Sequence, residues 1–380
     1  MTANDDSAPT AGEPLPSVLV AAGGTGGHLF PAEALAAALA KRNIAVALAT
    51  DARAARHAGA FAAAGVHIIP SATIRGRNPI SLAKTGMLLG YGSLKAWLML
   101  PKIRPIVVVG FGGYPSIPPL LAAVARGIPT VIHEQNAVMG RANRMLAPRV
   151  RAIATGFAGI LNSAPVLAAK ATHTGNPVRP AVIAAATTPY PALDTSGPLQ
   201  LLVFGGSQGA KVMSDIVPSA IERLEPRLQM RLKVVQQARE EDMAQVRETY
   251  ARLQVAAEVE PFFKDLPARM AASHLVVGRS GASTVAELTA IGRPGILVPL
   301  PHALDQDQHH NAGVLMDAGG AIRLPQAEFT PDRLAAEIAA LAAEPSRLSA
   351  MAAAAKRAGA IDASDRLADL VLRVAGVIPR

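Results

Sequence analysis

A chain of 380 residues, 50% hydrophobic and 17% charged, is long enough for two domains and apolar enough to bury a large α/β core. It has no cysteine, which excludes disulfides, thiolate metal sites and a cysteine nucleophile. The net charge of +9 is uneven: between Ala52 and Leu193 Glu134 is the single acid against fifteen Lys and Arg, which reads as affinity for a polyanion or as a solvated basic face. Aromatics are 3% and no nucleic-acid module appears, so a nucleic acid is not the expected partner.

Residues 1–15 carry Asp5, Asp6 and Glu13 with no Lys or Arg. That lacks the basic and apolar regions of a signal peptide and reads as a disordered tail. No uninterrupted apolar run reaches the roughly 18 residues of a transmembrane helix. Apolar runs at Val18–Ala22, Ala45–Ala49, Val66–Ile69, Ile106–Val109, Thr130–His133 and Ala152–Ala154 alternate with helical stretches. This predicts a parallel, doubly wound sheet with right-handed crossovers. The first run leads into Gly23-Gly24-Thr25-Gly26-Gly27-His28 and then a helix from Leu29 to Lys41. Strand, glycine turn and helix together aim backbone N–H groups at an anion. Ligands of such sheets gather at the carboxyl ends of strands. The loop at 23–28, Gly110-Phe111-Gly112-Gly113-Tyr114 and His133-Glu134-Gln135-Asn136 should therefore share one edge.

Between the third and fourth strands, Ile74 to Pro105 mixes Arg75, Arg77, Lys84, Lys95, Lys102 and Arg104 with Leu88, Leu89, Leu94, Trp97 and Leu98. It fits an interfacial element lying on a membrane, and equally two core helices with snorkelling lysines. The strand–helix rhythm stops near Gly175-Asn176-Pro177-Val178-Arg179-Pro180, and the Pro/Thr-rich connection from Thr187 to Pro198 marks a domain boundary. A second set of strands follows at Gln200–Phe204, Leu232–Gln236, Val255–Glu260, Leu275–Gly278 and Gly295–Pro299. Its first strand again runs into glycines, Gly205-Gly206-Ser207-Gln208-Gly209-Ala210. Gly292 and Pro294 end the helix before the last strand. Helices are expected near Glu344–Ala358 and after Asp362, a plausible N-cap, with Leu367, Leu370, Val371 and Val374 on one apolar face.

The first glycine loop lacks the third glycine of a dinucleotide fingerprint, although Asp51 could pose as its ribose acid, and no Walker lysine is present. The turn Gly278-Arg279-Ser280-Gly281-Ala282-Ser283-Thr284 enters a helix carrying Glu287. Hydroxyls and free N–H groups there suit a diphosphate, and Glu287 a ribose, while the plainer role for Glu287 is a helix-dipole partner. His302, Asp305, Asp307, His309 and His310 match no standard zinc spacing, so sugar hydrogen bonds by Asp and Gln fit better than a metal. His28 can serve as a general base near neutral pH or simply shape its loop; Glu134 offers a second acid or base.

The six motifs, Gly23 to His28, Gly110 to Tyr114, His133 to Asn136, Gly175-Asn176-Pro177-Val178-Arg179, Gly205 to Ala210 and Arg279 to Thr284, stand together in one order. In that order, from about residue 17 almost to the end, the chain resembles the MurG family, bacterial N-acetylglucosaminyltransferases of peptidoglycan precursor synthesis. The resemblance implies an α/β GT-B fold, two Rossmann-like doubly wound domains facing across a cleft. It divides the chain into 16–178 plus 360–380, an acceptor and membrane-facing domain, and 179–359, a UDP-sugar domain. It implies inverting transfer of N-acetylglucosamine from UDP-N-acetylglucosamine to the muramoyl 4-hydroxyl of lipid I, giving lipid II, with no cofactor and no metal. Thr25, Gly26 and Gly27 would face phosphates. Asn136, Arg179, Ser207 and Gln308 would contact the UDP-sugar, Gln306 being the alternative to Gln308. Ala282, Ser283, Thr284, Val285, Ala286 and Glu287 would hold diphosphate and ribose, and Phe263 would sit beside the uracil. His28 is the expected base and Glu134 the second choice. Arg75, Arg77, Lys84, Leu88, Leu89, Lys95 and Trp97 would dock on the anionic cytoplasmic face of the inner membrane, beside the cell-wall synthesis machinery. A UDP-sugar 2-epimerase, a nicotinamide oxidoreductase and a membrane adaptor are the rival readings.

Overall fold

The computed structural model describes residues 17–23, 26–52, 54–55, 65–71, 79–206, 209–303 and 305–379. The expected tail at 1–15 and the candidate residues Thr25, Arg75, Arg77 and Ser207 lie outside the described residues. The first half runs β1 (Ser17–Ala21), α1 (Gly26–Ala40), β2 (Ala45–Thr50), β3 (Gly65–Ile68), α2 (Pro79–Ile103), β4 (Val107–Gly110), α3 (Ile117–Ala125), β5 (Thr130–Glu134), α4 (Arg141–Leu146), β6 (Ala152–Thr155), α5 (Pro165–Ala168) and β7 (Ala171–His173). The second runs α6 (Pro180–Ala185), β8 (Leu199–Phe204), α7 (Lys211–Glu222), α8 (Pro226–Arg231), β9 (Leu232–Gln237), α9 (Met243–Arg252), β10 (Ala256–Glu260), α10 (Leu266–Ala272), β11 (Leu275–Gly278), α11 (Ala282–Ile291), β12 (Gly295–Leu297), α12 (Asp307–Asp317), β13 (Ala321–Arg323), α13 (Pro331–Ala343), α14 (Pro345–Ala358) and α15 (Ala363–Ala375).

Seven strands form one parallel sheet in the order β3-β2-β1-β4-β5-β6-β7, and six form another in the order β10-β9-β8-β11-β12-β13. Their central strands are apolar at nearly every position because helices cover both faces: Val18, Leu19 and Val20 are fully buried, as are Leu275, Val276 and Val277. The strand order reverses at β1, which lies between β2 and β4, and at β8, which lies between β9 and β11. Each reversal opens a crevice at the carboxyl end of the sheet. The loop after β1 and the Gly110–Tyr114 loop flank the first; the Gly205 loop and the 279–281 turn flank the second.

The expected strands are present, and two more exist. β7 and β13 are three-residue edge strands, too short for a periodic pattern to announce them. β12 stops at Leu297 rather than 299. Within the stretch 74–105 the described residues form one 25-residue helix, α2, as a single element rather than the alternative of two core helices. Ala96 and Leu100 of that helix are fully buried, while Met87, Tyr91, Leu94, Trp97 and Leu98 remain exposed. Gly292 ends α11 in the left-handed region (φ 76°), its N–H bonded to the Leu288 carbonyl at 2.8 Å. Asp362 holds the N-cap position of α15, but its carboxylate caps nothing and instead accepts from Arg366 Nε at 2.8 Å.

The last helix does not belong to the sheet that precedes it. Leu367, Leu370 and Val371 of α15 join the core of Val18, Leu35, Leu39 and Val107 in the first sheet. The chain returns past Gly175, whose φ of 81° and close approach both require glycine: a Cβ there would sit 2.6 Å from that of Ala360. His133 locks the same junction. It is fully buried, stacks near Phe111 (centroids 5.4 Å apart) and donates from Nε2 to the Gly175 carbonyl at 3.1 Å. Burial holds its pKa down to about 4. Above pH 6.5 both folded and unfolded chains carry it neutral. Below 6.5 the unfolded chain takes up a proton that the fold refuses, so stability falls between pH 6.5 and about 4, by a total on the order of 3 kcal/mol. Denaturant titrations at stepped pH are expected to show that loss, and His133→Gln, which keeps a donor but cannot titrate, to reduce it.

Candidate active site between the two sheets

Helix α1 delivers the first functional side chain. His28 stands in its opening turn, and its ring lies against Gly112 and Gly113, both left-handed with φ of 79° and 69°. A Cβ on Gly113 would come within 3.3 Å of His28 Cδ2, so the absence of side chains is what admits the imidazole. His28 Nδ1 is buried and meets no protein hydrogen-bond partner among the described residues. The ring lines a pocket with Tyr114, Glu134, Asn136, Arg141, Asn143, Asp305 and Asp307, the last two from the opposite sheet. Gly26 and Gly27 are the first two residues of α1.

Glu134 is a different kind of group from a free base. It is 2% exposed, and both oxygens are occupied. Oε1 accepts from the Asn136 backbone N–H (3.0 Å) and Asn136 Nδ2 (3.2 Å); Oε2 accepts from Gly140 N–H (2.9 Å) and Asn143 Nδ2 (2.8 Å). Four donors compensate its burial and fix the loop from β5 to α4. The geometry makes Glu134 the organiser of that loop and leaves it no lone pair aimed at a reacting hydroxyl.

On the opposite sheet, α11 starts at the end of β11 with the N–H groups of its first turn facing the crevice. Ala282, Thr284, Val285 and Ala286 are buried there, and Ser283 is half-exposed. Glu287 is buried, which pushes its carboxyl up, and Arg179 lowers it in part through an ion pair, Nη2 to Oε1 at 3.0 Å. The Arg179 guanidinium also lies 4.0 Å over the ring of Phe30 in α1, so this residue joins both sheets. Arg179 Nε is buried without a hydrogen-bond partner among the described residues. Ser280 Oγ donates to the Gln308 carbonyl (2.8 Å), and Gln308 Oε1 accepts from Leu300 N–H (3.1 Å). Gln308 lines a second pocket with Asn136, Asp305 and Asp307. Gln306 is the left-handed, exposed residue before α12 and lines neither pocket, which favours Gln308 over it. Phe263 is buried under the Arg269 guanidinium (4.4 Å), and Gln237 ties its loop to the glycine loop by donating to the Pro261 carbonyl (3.1 Å) and accepting from Gly205 N–H (3.0 Å). Arg279 is structural, donating to the Val298 and Pro299 carbonyls and to Gln326. Among the described residues no three His, Asp or Glu converge as metal ligands; His309 and His310 meet edge to face.

Three residues escaped sequence reasoning. Asn311, fully buried, accepts from Ala137 N–H at 2.8 Å and donates to Asn136 Oδ1 at 3.0 Å, across the cleft. Arg141 and Arg144 approach Asp305 from the other side, at 3.5 and 3.9 Å. The signal for Asn311 was its place in the polar loop after β12; its partner, 175 residues away, is invisible without the fold.

Two Rossmann-like parallel sheets, each with a glycine-rich crevice and both lining one cleft, define the GT-B class. The glycosyltransferase family 28 N-terminal domain model matches residues 18–155 and the family's C-terminal domain model residues 200–367. A UDP-N-acetylglucosamine–N-acetylmuramyl-(pentapeptide) pyrophosphoryl-undecaprenol N-acetylglucosamine transferase of Rhodopseudomonas palustris is 62% identical over 95% of this chain and 99% of its own length. The namesake from a Bradyrhizobium strain is 60% identical over the same shares. The crystal structure of Acinetobacter baumannii MurG superposes with a TM-score of 0.77 at 27% identity, covering 94% of this chain and 99% of that one. A UDP co-structure of Staphylococcus aureus MnaA, at 13% identity and a TM-score of 0.67, covers 96% of this chain and 98% of that one and shares the fold. The chain belongs to glycosyltransferase family 28, with the N-acetylmuramyl-(pentapeptide) pyrophosphoryl-undecaprenol N-acetylglucosamine transferases.

Glu134→Gln presents an NH₂ where the carboxylate accepts two N–H bonds. It is expected to cost about 1–3 kcal/mol in denaturant unfolding. Its residual transfer activity should keep the acid limb of the wild-type pH profile. Disappearance of that limb would make Glu134 the base.

Proposed function

We propose that the chain transfers N-acetylglucosamine from UDP-N-acetylglucosamine to the muramoyl 4-hydroxyl of lipid I, with inversion, giving lipid II and UDP. The observation that carries this reading is the pairing of pockets across one cleft: His28 lines one, Gln308 lines the other, and Asn136 lines both. The domain division that goes with it is 16–178 plus 360–380 for the acceptor and 179–359 for the donor.

Direct displacement has three requirements. A base must take the hydroxyl proton as the oxygen attacks the anomeric carbon. His28 is assigned that role because Glu134 is fully hydrogen-bonded and the imidazole is not. The leaving diphosphate gains negative charge as its bond to the sugar breaks. The start of α11 supplies N–H groups, and Arg179 a guanidinium, to stabilise that charge. Arg179 then exchanges Glu287 for the diphosphate, which leaves the Glu287 carboxylate free for the ribose hydroxyls. Thr25, Ser207 and the backbone beside Phe263 complete the phosphate and uracil contacts in this assignment. The two reactants must also be held in line, which the bonds crossing the cleft favour. The test is UDP release from UDP-N-acetylglucosamine with and without a lipid I analogue. Acceptor-dependent release is expected, and His28→Ala should lower kcat on the order of 10²–10⁴-fold. A near wild-type rate would remove His28 from that role.

We further assign α2 to the anionic membrane surface where lipid I resides, with the protein on the cytoplasmic face of the inner membrane and within reach of the cell-wall synthesis machinery. No helix among the described residues is long and apolar enough to cross a membrane. α2 exposes Met87, Leu88, Tyr91, Leu94, Trp97 and Leu98 along one side with Lys84 and Lys95 beside them, Leu89 is half-buried, and Arg75 and Arg77 precede the helix in sequence. Arg126 stacks 3.8 Å over the Trp97 ring and adds a further cation. Reversing Lys84 and Lys95 to Glu should weaken binding to anionic vesicles by roughly tenfold or more and reduce its salt dependence, while neutral vesicles are bound no better by wild type than by the variant.

A further inference from the structure

One of the polar side chains that join the two halves of the chain is wholly excluded from water. Asn311, the fifth residue of α12, is 0% exposed. Its carboxamide orientation is set by chemistry. The Ala137 backbone N–H can only donate, so the end facing it is Oδ1 (2.8 Å). The other end, Nδ2, then faces two acceptors, Asn136 Oδ1 at 3.0 Å and the Ser280 carbonyl at 3.2 Å. Asn136 is oriented in the same way. Its Nδ2 faces the Glu134 carboxylate, an acceptor, so its Oδ1 must face Asn311. A continuous chain of bonds thus runs from Glu134 at the end of β5 through Asn136 and Asn311 to Ser280. Ser280 in turn grips Gln308 and stands just before α11.

We propose that Asn311 is a positioning residue for transfer: by fixing the carboxamide of Asn136, it holds the loop beside His28 in register with the start of α11. This rests on the transferase reading above and adds a residue to it that neither touches the reacting atoms nor belongs to a glycine motif. A buried amide satisfied from both sheets is worth most when all its bonds are made, and a displacement of about 1 Å between donor and acceptor sides is enough to cost on the order of 100-fold in rate.

The test is Asn311→Asp in the full chain. The carboxylate still accepts from Ala137 N–H, but its second oxygen now faces two acceptors and cannot donate. Flanked so, and buried, its pKa rises; once protonated, it donates to one of them again. Glu134, Arg141, Asp305, Asp307 and His28 line the same pockets and are common to both enzymes, so the ratio of variant to wild type isolates position 311. The expected result is a kcat lowered on the order of tenfold to 100-fold at pH 8, a KM for UDP-N-acetylglucosamine within about threefold of wild type, and a variant-to-wild-type ratio that recovers as pH falls. Asn311→Ala combined with Asn136→Ala supplies a second arm that needs no titration: the double variant should be no slower than Asn136→Ala alone. Additive losses, a raised KM at unchanged kcat, or a ratio flat with pH would overturn the proposal. Wild-type turnover with normal Asn311→Asp would overturn it alone, whereas a wild type that releases no UDP with the acceptor would overturn the transferase reading as well.

Discussion

A carboxylate removed from water must recover its hydrogen bonds from the protein, and Glu134 does so with four N–H groups of the loop that follows it and of the helix that loop enters. That constraint organises the cleft. It fixes the path from β5 to α4, turns the Asn136 amide so that its oxygen points at the opposite sheet, and leaves Asn311 one orientation in which to answer it. Remove the charge and the loop has buried donors with nothing to meet. Any proton Glu134 took from a substrate would have to displace one of these bonds, each of which supports the shape of the site.

The second organising feature is the geometry of α1. Successive helix residues are about 100° apart, so His28 and Phe30 point to nearly opposite sides of its first turns. His28 packs on Gly112 and Gly113 of its own sheet, while Phe30 receives the Arg179 guanidinium from the other. Glu33, one turn further along, is raised by burial and lowered by the same Arg179. One short helix therefore senses both halves of the chain. Its partner contact is the Arg179–Glu287 pair, a buried carboxylate matched by a cation that also stacks on an aromatic face. Apart from Arg179, Arg141 and Arg144, the basic surplus of the first half lies outside this machinery. Part of it lies on α2, beside an exposed apolar row whose Trp97 ring is covered by the Arg126 guanidinium.

Most of the sheet architecture was legible because parallel strands covered on both faces are continuously apolar, and the glycine loops follow them directly. What was missed shares a physical cause. β7 and β13 have three residues each, less than any period needs. The residues 74–105 were read as one or two elements because their apolar positions serve a core contact on one side and an exposed row on the other, which blurs the pattern of a single helix. Asp362 stands where a cap should, yet Arg366 one turn on competes for its carboxylate. Glu134 looked like a spare acid because its four donors, two of them backbone, carry no signature in sequence.

By itself the sequence determined the class of the protein: two strand–glycine–helix units, the six ordered motifs and the candidates His28 and Glu287 follow from residue type and local spacing, while Arg179 and Gln308 enter through the family resemblance. The tertiary structure alone decided which of those groups are free to act. It sent α15 back to the first sheet, saturated Glu134, paired Arg179 with Glu287 and placed Asn311 opposite Asn136. Apart from the local loop around Glu134, these outcomes depend on contacts between residues more than a hundred positions apart, where local propensity is silent and only the packing of two sheets against each other brings donor to acceptor.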